Sequence, residues 1–330
     1  MNEPLNLSQF TRLRESLTIG DVVSVAFTIS RERWKQSAGI ALQATAWLFV
    51  PVIGGGILSS LFMPLTSGVG RSARSGASGV GILVFMVWLV GALYCLGRYM
   101  ANSALISRLA FNDLAQQSES LADAHRFTQS RTWSYLGASL FMGLLYLVVL
   151  VAFSIAIGLA VIAIVASGSI FGISLDISNN PVMRFSLVIG MLLALLVFLV
   201  GLTWFGSRLF FYEVPMSVER ETGAAASIGR TWNLGHRSNW RLMLITTLAY
   251  LITLPLQAIA QGVILLSMIP QFALAPGGSA SGGLTGISVL VNLLVNFFIV
   301  VATIVFWQTV KAVVYFDLRN QAEGMGLELR

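Results

Sequence analysis

Two histidines, one cysteine and fourteen carboxylates are what this chain has for acid–base, nucleophilic or metal chemistry. Neither His125 nor His236 has a Cys, His or carboxylate at a spacing that would put two metal ligands together on one helix face. Cys95 stands alone, which excludes an intramolecular disulfide. All the carboxylates but Asp176 lie on the side of the chain termini, so no two acids pair inside an apolar run for general acid–base work. "GVGRSARSGASGVG" is rich in Gly and Ser, but it joins two apolar runs rather than a strand and a helix. It therefore reads as a flexible turn, not a phosphate loop. The expectation is a protein with no catalytic residue, no metal site and no cofactor, hence not an enzyme.

Uncharged polar residues within the apolar runs are the next candidates, because burying them in hydrocarbon is costly and often marks a pathway. Gln257 and Gln261 are one helical turn apart, as are Asn292 and Asn296. Each pair lines one helix face, and the four together could form a polar path. Hydrogen bonding between helices, worth about 1 kcal/mol, is the simpler use of such residues.

The elements that would position these groups follow from composition. The 330 residues are 56% hydrophobic and 10% charged, against roughly 25% charged in an average soluble domain. No Asp, Glu, Lys or Arg occurs between Lys35 and Arg71, Arg74 and Arg98, Arg131 and Asp176, Arg184 and Arg208, or Arg241 and Lys311. Each run is long enough for the roughly 20 residues that cross a bilayer core. The fold class is all-α: a polytopic membrane protein, one integral domain over residues 1–330, with six transmembrane helices. The spans run approximately 38–63, 80–100, 136–167, 185–211, 242–269 and 286–314. The third is the long one, expected to tilt, kink near Gly158 or project from the membrane. No apolar region ahead of a cleavage site opens the sequence, so the first span is expected to remain in the mature protein.

Of the Lys and Arg residues, 17 fall with the termini and only Arg71, Arg74 and Arg184 on the other side. Positive charge is retained inside, so both termini are expected in the cytoplasm, the membrane being a bacterial cytoplasmic (inner) membrane or an equivalent internal one. Because the charges collect beside span ends, the net +6 does not imply nucleic acid.

Three segments share a layout: a helix-length mixture of apolar and basic residues, then a Trp, then a span. Trp34, Trp133 and Trp240 are 99 and 107 residues apart, and the exit cations Arg98, Arg208 and Lys311 are 110 and 103 apart. Two landmarks of nearly equal period argue for three tandem units of amphipathic interfacial helix plus two-span hairpin, over 18–114, 118–213 and 217–318, with a cytoplasmic tail at 319–330. Thr18 with Asp21 and Ser120 with Asp123 have helix-capping spacing. Val22, Ala26 and Ile29 form one apolar face, which such a helix would bury at the headgroup boundary or, in the alternative reading, against other cytoplasmic loop helices. Arg31, Arg33, Arg126, Arg131, Arg230 and Arg237 are then placed to meet headgroup phosphates or a membrane partner, and the three Trp to sit at the interface.

The tail "YFDLRNQAEGMGLEL" resembles the C-terminal pattern of an uncharacterised group of bacterial and archaeal membrane proteins, the family named for the membrane domain sometimes fused ahead of glycerophosphoryl diester phosphodiesterases. The matching residues are Tyr315 to Arg319, Glu323 with Gly324, and Leu327 to Leu329; Gly326 departs from it, where the family commonly has an acid. "LTIGDVVSVAFTISRERW" is similar to the family's opening, and "ETGAAASIGRTWNLGHRSNWRLM" to its third-unit entry. The resemblance touches both ends and the middle of the chain. It implies a six-span architecture without a settled activity; hydrolysis belongs to the fused partner domain, for which these 330 residues leave no room.

The sequence thus points to a non-enzymatic multi-pass protein, an accessory or organising component that engages lipid headgroups or a membrane partner. That partner is another membrane protein or a second copy of this chain. The alternative is a transporter or channel for a small or amphiphilic solute, built from the three quasi-equivalent units around Gln257, Gln261, Asn292 and Asn296.

Overall fold

The first helix begins where the sequence places a cap. Thr18 Oγ1 accepts from the Asp21 amide, and the Asp21 carboxylate accepts from the Thr18 amide at 3.1 Å, a reciprocal box that opens α1 (Ile19–Glu32). Ser120 likewise accepts from the Asp123 amide at 3.1 Å. This computed structural model describes residues 17–67, 74–170, 181–236, 238–273 and 282–323, and no strand occurs among the described residues. After α1 come α2 (Trp34–Ser67), α3 (Arg74–Leu114), α4 (Leu121–Ser130), α5 (Thr132–Ile170), α6 (Pro181–Leu209), α7 (Glu213–Val218), α8 (Ala224–His236), α9 (Asn239–Ala273) and α10 (Gly282–Glu323).

Six of these, α2, α3, α5, α6, α9 and α10, are long and apolar enough to cross a bilayer. The chain is an all-α, multi-pass membrane protein. A short helix, α1, α4 or α8, precedes each of α2, α5 and α9. Of the expected tail, residues 319–323 are the last turn of α10, and 324–330 lie outside the described residues.

The third span is not the exceptional one. α5 has 39 residues and runs unbroken through Gly158, whereas α3 has 41 and α10 has 42. At 1.5 Å per residue the last two reach about 60 Å, roughly twice a hydrocarbon core. The excess projects from the charged end of the bundle and is clad by protein. From Ala101 to Leu114, α3 is buried at every residue except the half-buried Asp113. Packing hides that extension from a sequence reading, because Asn102, Ser107 and Arg108 look like the residues of an exposed exit.

The core sits at this charged end. Phe111, Phe211 and Tyr315 bring rings from α3, the α6–α7 turn and α10 together, with centroids 5.7 and 6.2 Å from that of Tyr315. Val22, Ala26 and Ile29 of α1 join the same cluster. The apolar face of α1 therefore packs on protein, on α9 and α10, rather than in the headgroup layer, the other of the two placements open from sequence. Away from this end the apolar side chains point outward. None of the most hydrophobic window of α6 is buried, so hydrocarbon is what covers it.

α2 packs on α3, α3 on α5, α5 on α6, α6 on α9, α9 on α10, and α10 on both α2 and α3. α9 thus bridges α6 and α10, leaving a space between them. Small residues permit close approach where helices do touch. A Cβ on Gly55 would come within 3.1 Å of the Trp88 ring, whose Nε1 donates to the Pro51 carbonyl at 3.1 Å.

Candidate functional site: a charged layer beneath an intramembrane cleft

Charges at the terminus-bearing end are tied to one another across elements distant in sequence. Arg108 on α3 forks onto Glu119, Nε to Oε2 and NH2 to Oε1 both at 2.7 Å, and also donates to the Ser217 carbonyl. Asn112 Nδ2 adds a third bond to Glu119 at 2.6 Å. The Arg108 guanidinium holds the Glu119 carboxyl below the usual carboxylate range, outweighing the opposing effect of burial. Arg241 at the start of α9 binds Asp317 of α10 at 2.7 Å, while Asp317 accepts from the Leu17 amide at 3.2 Å. Asp317, in the segment that seemed a plain membrane exit, therefore anchors the chain just ahead of α1.

At the centre lies a chain of buried groups. Ser107 Oγ donates to Gln308 Oε1 at 2.6 Å, Gln308 Nε2 donates to Glu213 Oε2 at 3.0 Å, and Lys311 Nζ donates to Glu213 Oε1 at 3.1 Å. Three regions, α3, α7 and α10, meet through it. Lys311 is consequently more than a cation reaching for the interface: its charge is matched inside the protein. Arg208 is also buried, its guanidinium stacked over Trp204 and Trp232 with centroids at 4.2 and 4.7 Å. Its Nε has no hydrogen-bond partner among the described residues.

Above this layer a cleft of about 570 Å³ opens between α5, α6, α9 and α10. Its deep end is formed by Lys311, Ser207, Phe210 and Thr246, and Tyr146, Gly206, Tyr250 and Trp307 line its middle. Leu202 and Thr203 lie at the other end. Leu202 and Phe210 are eight residues apart on or just past α6, so the cleft runs about 12 Å along it. Gly206 keeps it open, since a Cβ there would lie 2.9 Å from the Tyr146 hydroxyl.

The arginines singled out from sequence divide. Arg31 and Arg126 are exposed at the surface. Arg33 binds Asp113 at 2.5 Å. Arg131 donates to the carbonyls of Met216, Glu219 and Thr222 at 3.1, 2.9 and 3.2 Å, closing the loop after α7. Arg230 binds Glu219 at 2.8 Å, and Tyr315 Oη donates to the same carboxylate. Arg237 lies outside the described residues. The three tryptophans keep one disposition: Trp34, Trp133 and Trp240, each the first or second residue of its span, are 45, 67 and 68% exposed.

The four amides do not converge. Gln257 and Gln261 are exposed on α9. Asn296 Nδ2 donates to Asn292 Oδ1 at 2.7 Å and to its carbonyl at 2.8 Å, so that pair is satisfied along α10. None of the four lines the cleft. Glu213, Gln308 and Ser107 escaped the sequence reading. A signal existed in "FFYEVPM", where Glu213 has apolar neighbours on both sides and no solvated helix face to occupy.

No family model, curated protein or solved structure matches this chain.

Proposed function

We propose that the chain is a non-enzymatic accessory or organising component of its membrane, one that gathers anionic lipid headgroups in the leaflet on its terminus-bearing, cytoplasmic side. The carrying observation is the equivalent exposure of Trp34, Trp133 and Trp240 at the start of three spans. An indole is most stable where one edge is apolar and the other wet, so three of them at one level make a collar at the bilayer interface. The collar fits the three-unit reading of the chain, with one Trp per unit, and the family resemblance belongs to the same proposal. Arg31, Lys35 and Arg126, all exposed, lie within a few residues of collar positions or on the helix leading to one. Each basic residue near an anionic surface contributes about 1 kcal/mol.

The test is the lipid that stays with the purified full-length protein. Extracted from a bilayer of equal anionic and zwitterionic lipid, the protein should retain an excess of the anionic one, and Arg31→Gln with Lys35→Gln and Arg126→Gln should abolish the excess. Equal retention of both lipids by the parent protein, or an excess that the triple variant keeps, would sink the proposal. Arg33, Arg131 and Arg230 are left intact because they hold the protein's own loops.

A further inference from the structure

We infer that the cleft between α6, α9 and α10 is a binding site for an anionic amphiphile, with its phosphate or carboxylate head at Lys311 and its acyl chain rising past Leu202 toward the hydrocarbon. The site is separate from the collar and stands on three independent features.

The first is the supply of donors. Lys311 gives one hydrogen bond to Glu213, and an ammonium has three. Tyr146 and Tyr250 line the same space, and neither hydroxyl has a hydrogen-bond partner among the described residues. By contrast, Thr203, Ser207 and Thr246 already donate to carbonyls of their own helices, at 2.8, 3.0 and 2.9 Å. An oxyanion is a ligand that accepts from an ammonium and two phenols together, and charge-assisted bonds of this kind are the strong ones.

Charge is the second. Glu213 cancels Lys311, but Arg208, which follows the cleft residue Ser207 on α6 and stacks on Trp204 and Trp232 outside the cleft lining, is buried with no carboxylate beside it among the described residues. Arg208, Lys311 and Glu213 together leave one positive charge in a low-dielectric setting, and a singly charged anion balances it.

The third is the shape of the opening. Thr203 is exposed and Tyr250 is 60% exposed, both at the level of the apolar spans. One turn beyond them Leu199 and Leu254 are 53 and 54% exposed, on helices whose surroundings are hydrocarbon. The mouth therefore faces lipid, and its walls change from cationic and hydroxylic to aliphatic over about 12 Å. A free inorganic anion would not use that gradient; an amphiphile uses both ends of it. The volume of about 570 Å³ falls in the range of small-molecule sites.

The experiment uses the full chain in zwitterionic nanodiscs and a long-chain fatty acid bearing a mid-chain diazirine. Irradiation should label peptides of α6, α9 and α10 at the cleft. Oleate should compete for labelling at least about tenfold better than oleyl alcohol, the difference expected from losing charge-assisted bonds in a buried site. Inorganic phosphate should not compete. Thr203→Trp, placed at the exposed mouth where it fills space without breaking a buried contact, should remove the labelling. Lys311→Gln combined with Glu213→Gln, which removes the ammonium donor at the head while Arg208 keeps the net charge unchanged, should weaken the preference for acid over alcohol. Labelling spread along all lipid-facing helices, labelling unchanged in Thr203→Trp, equal competition by acid and alcohol, or effective competition by phosphate alone would each overturn the assignment.

Discussion

Deleting one member of the Glu213–Lys311 pair should damage the charged end of the bundle more than deleting both. Glu213 is 5% exposed, and its two oxygens receive Gln308 at 3.0 Å and Lys311 at 3.1 Å. Breaking a buried pair by removing one partner costs about 3–5 kcal/mol, because the other charge stays desolvated. The two single variants differ in what is left behind. In Glu213→Gln the surviving ammonium borders an open cleft, which places this variant near the lower figure, about 3 kcal/mol. Lys311→Met leaves a carboxylate with 6% of its side chain exposed and only an amide for company, which places it near the upper figure, about 5 kcal/mol. The double variant has no buried charge at this point and keeps a side-chain amide opposite Gln308, so it should lie within about 1–2 kcal/mol of the parent protein. A double-mutant cycle on these figures then gives a coupling energy of about 6–7 kcal/mol. Cys95, the sole cysteine and buried on α3, is a built-in reporter. Its reaction with a maleimide fluorophore during a sodium dodecyl sulfate titration in mixed micelles follows opening of the bundle. Single variants within about 0.5 kcal/mol of the parent, or a double variant equal to the sum of the singles, would refute the buried-pair account.

Stability should also fall on the acid side of pH 5, and the Arg108 fork says why. The Glu119 carboxyl is held below its ordinary value of 4.5, so its contribution is fully present above that value and is lost as pH falls through the lowered one. Glu119→Gln should flatten this part of the pH profile in the same titration; a variant with the parent's slope would contradict the assignment. At the end of α3, Gln116 has φ 54°, and the amides of Gln117 and Gln116 donate back to the Asn112 and Asp113 carbonyls, a left-handed helix stop filled by a non-glycine residue. Relieving the left-handed strain gains about 1–2 kcal/mol and the added freedom of the unfolded chain costs about 0.5–1 kcal/mol, so Gln116→Gly should stabilise by about 1 kcal/mol. A destabilised Gln116→Gly protein would show that Gln116 contributes something other than its backbone.

The spans were legible because hydrocarbon tolerates no charge, so the gaps between charges are themselves the signal. The caps at Thr18 and Ser120 were legible because a hydroxyl three residues before an acid satisfies the first free amides using local sequence alone. The charged layer was not legible, because a cation closing an apolar run looks the same whether it meets water, a phosphate or a carboxylate from another helix. Lys311 meets Glu213 from 98 residues away, and Ser107 meets Gln308 from 201. Nothing local distinguishes them from Arg98 or from an exposed exit. Arg31 and Arg33 make the same point at close range: two residues apart on a helical path they face different sides, one to the surface and one to Asp113. Each internal pair cancels one cation against one acid, so the formal charge of +6 is the excess of the remaining cations over the remaining acids. At the charged end the exposed cations include Arg31, Lys35, Arg126 and Arg220, and on the proposed reading it is these, rather than the full tally of basic residues, that would meet an anionic surface.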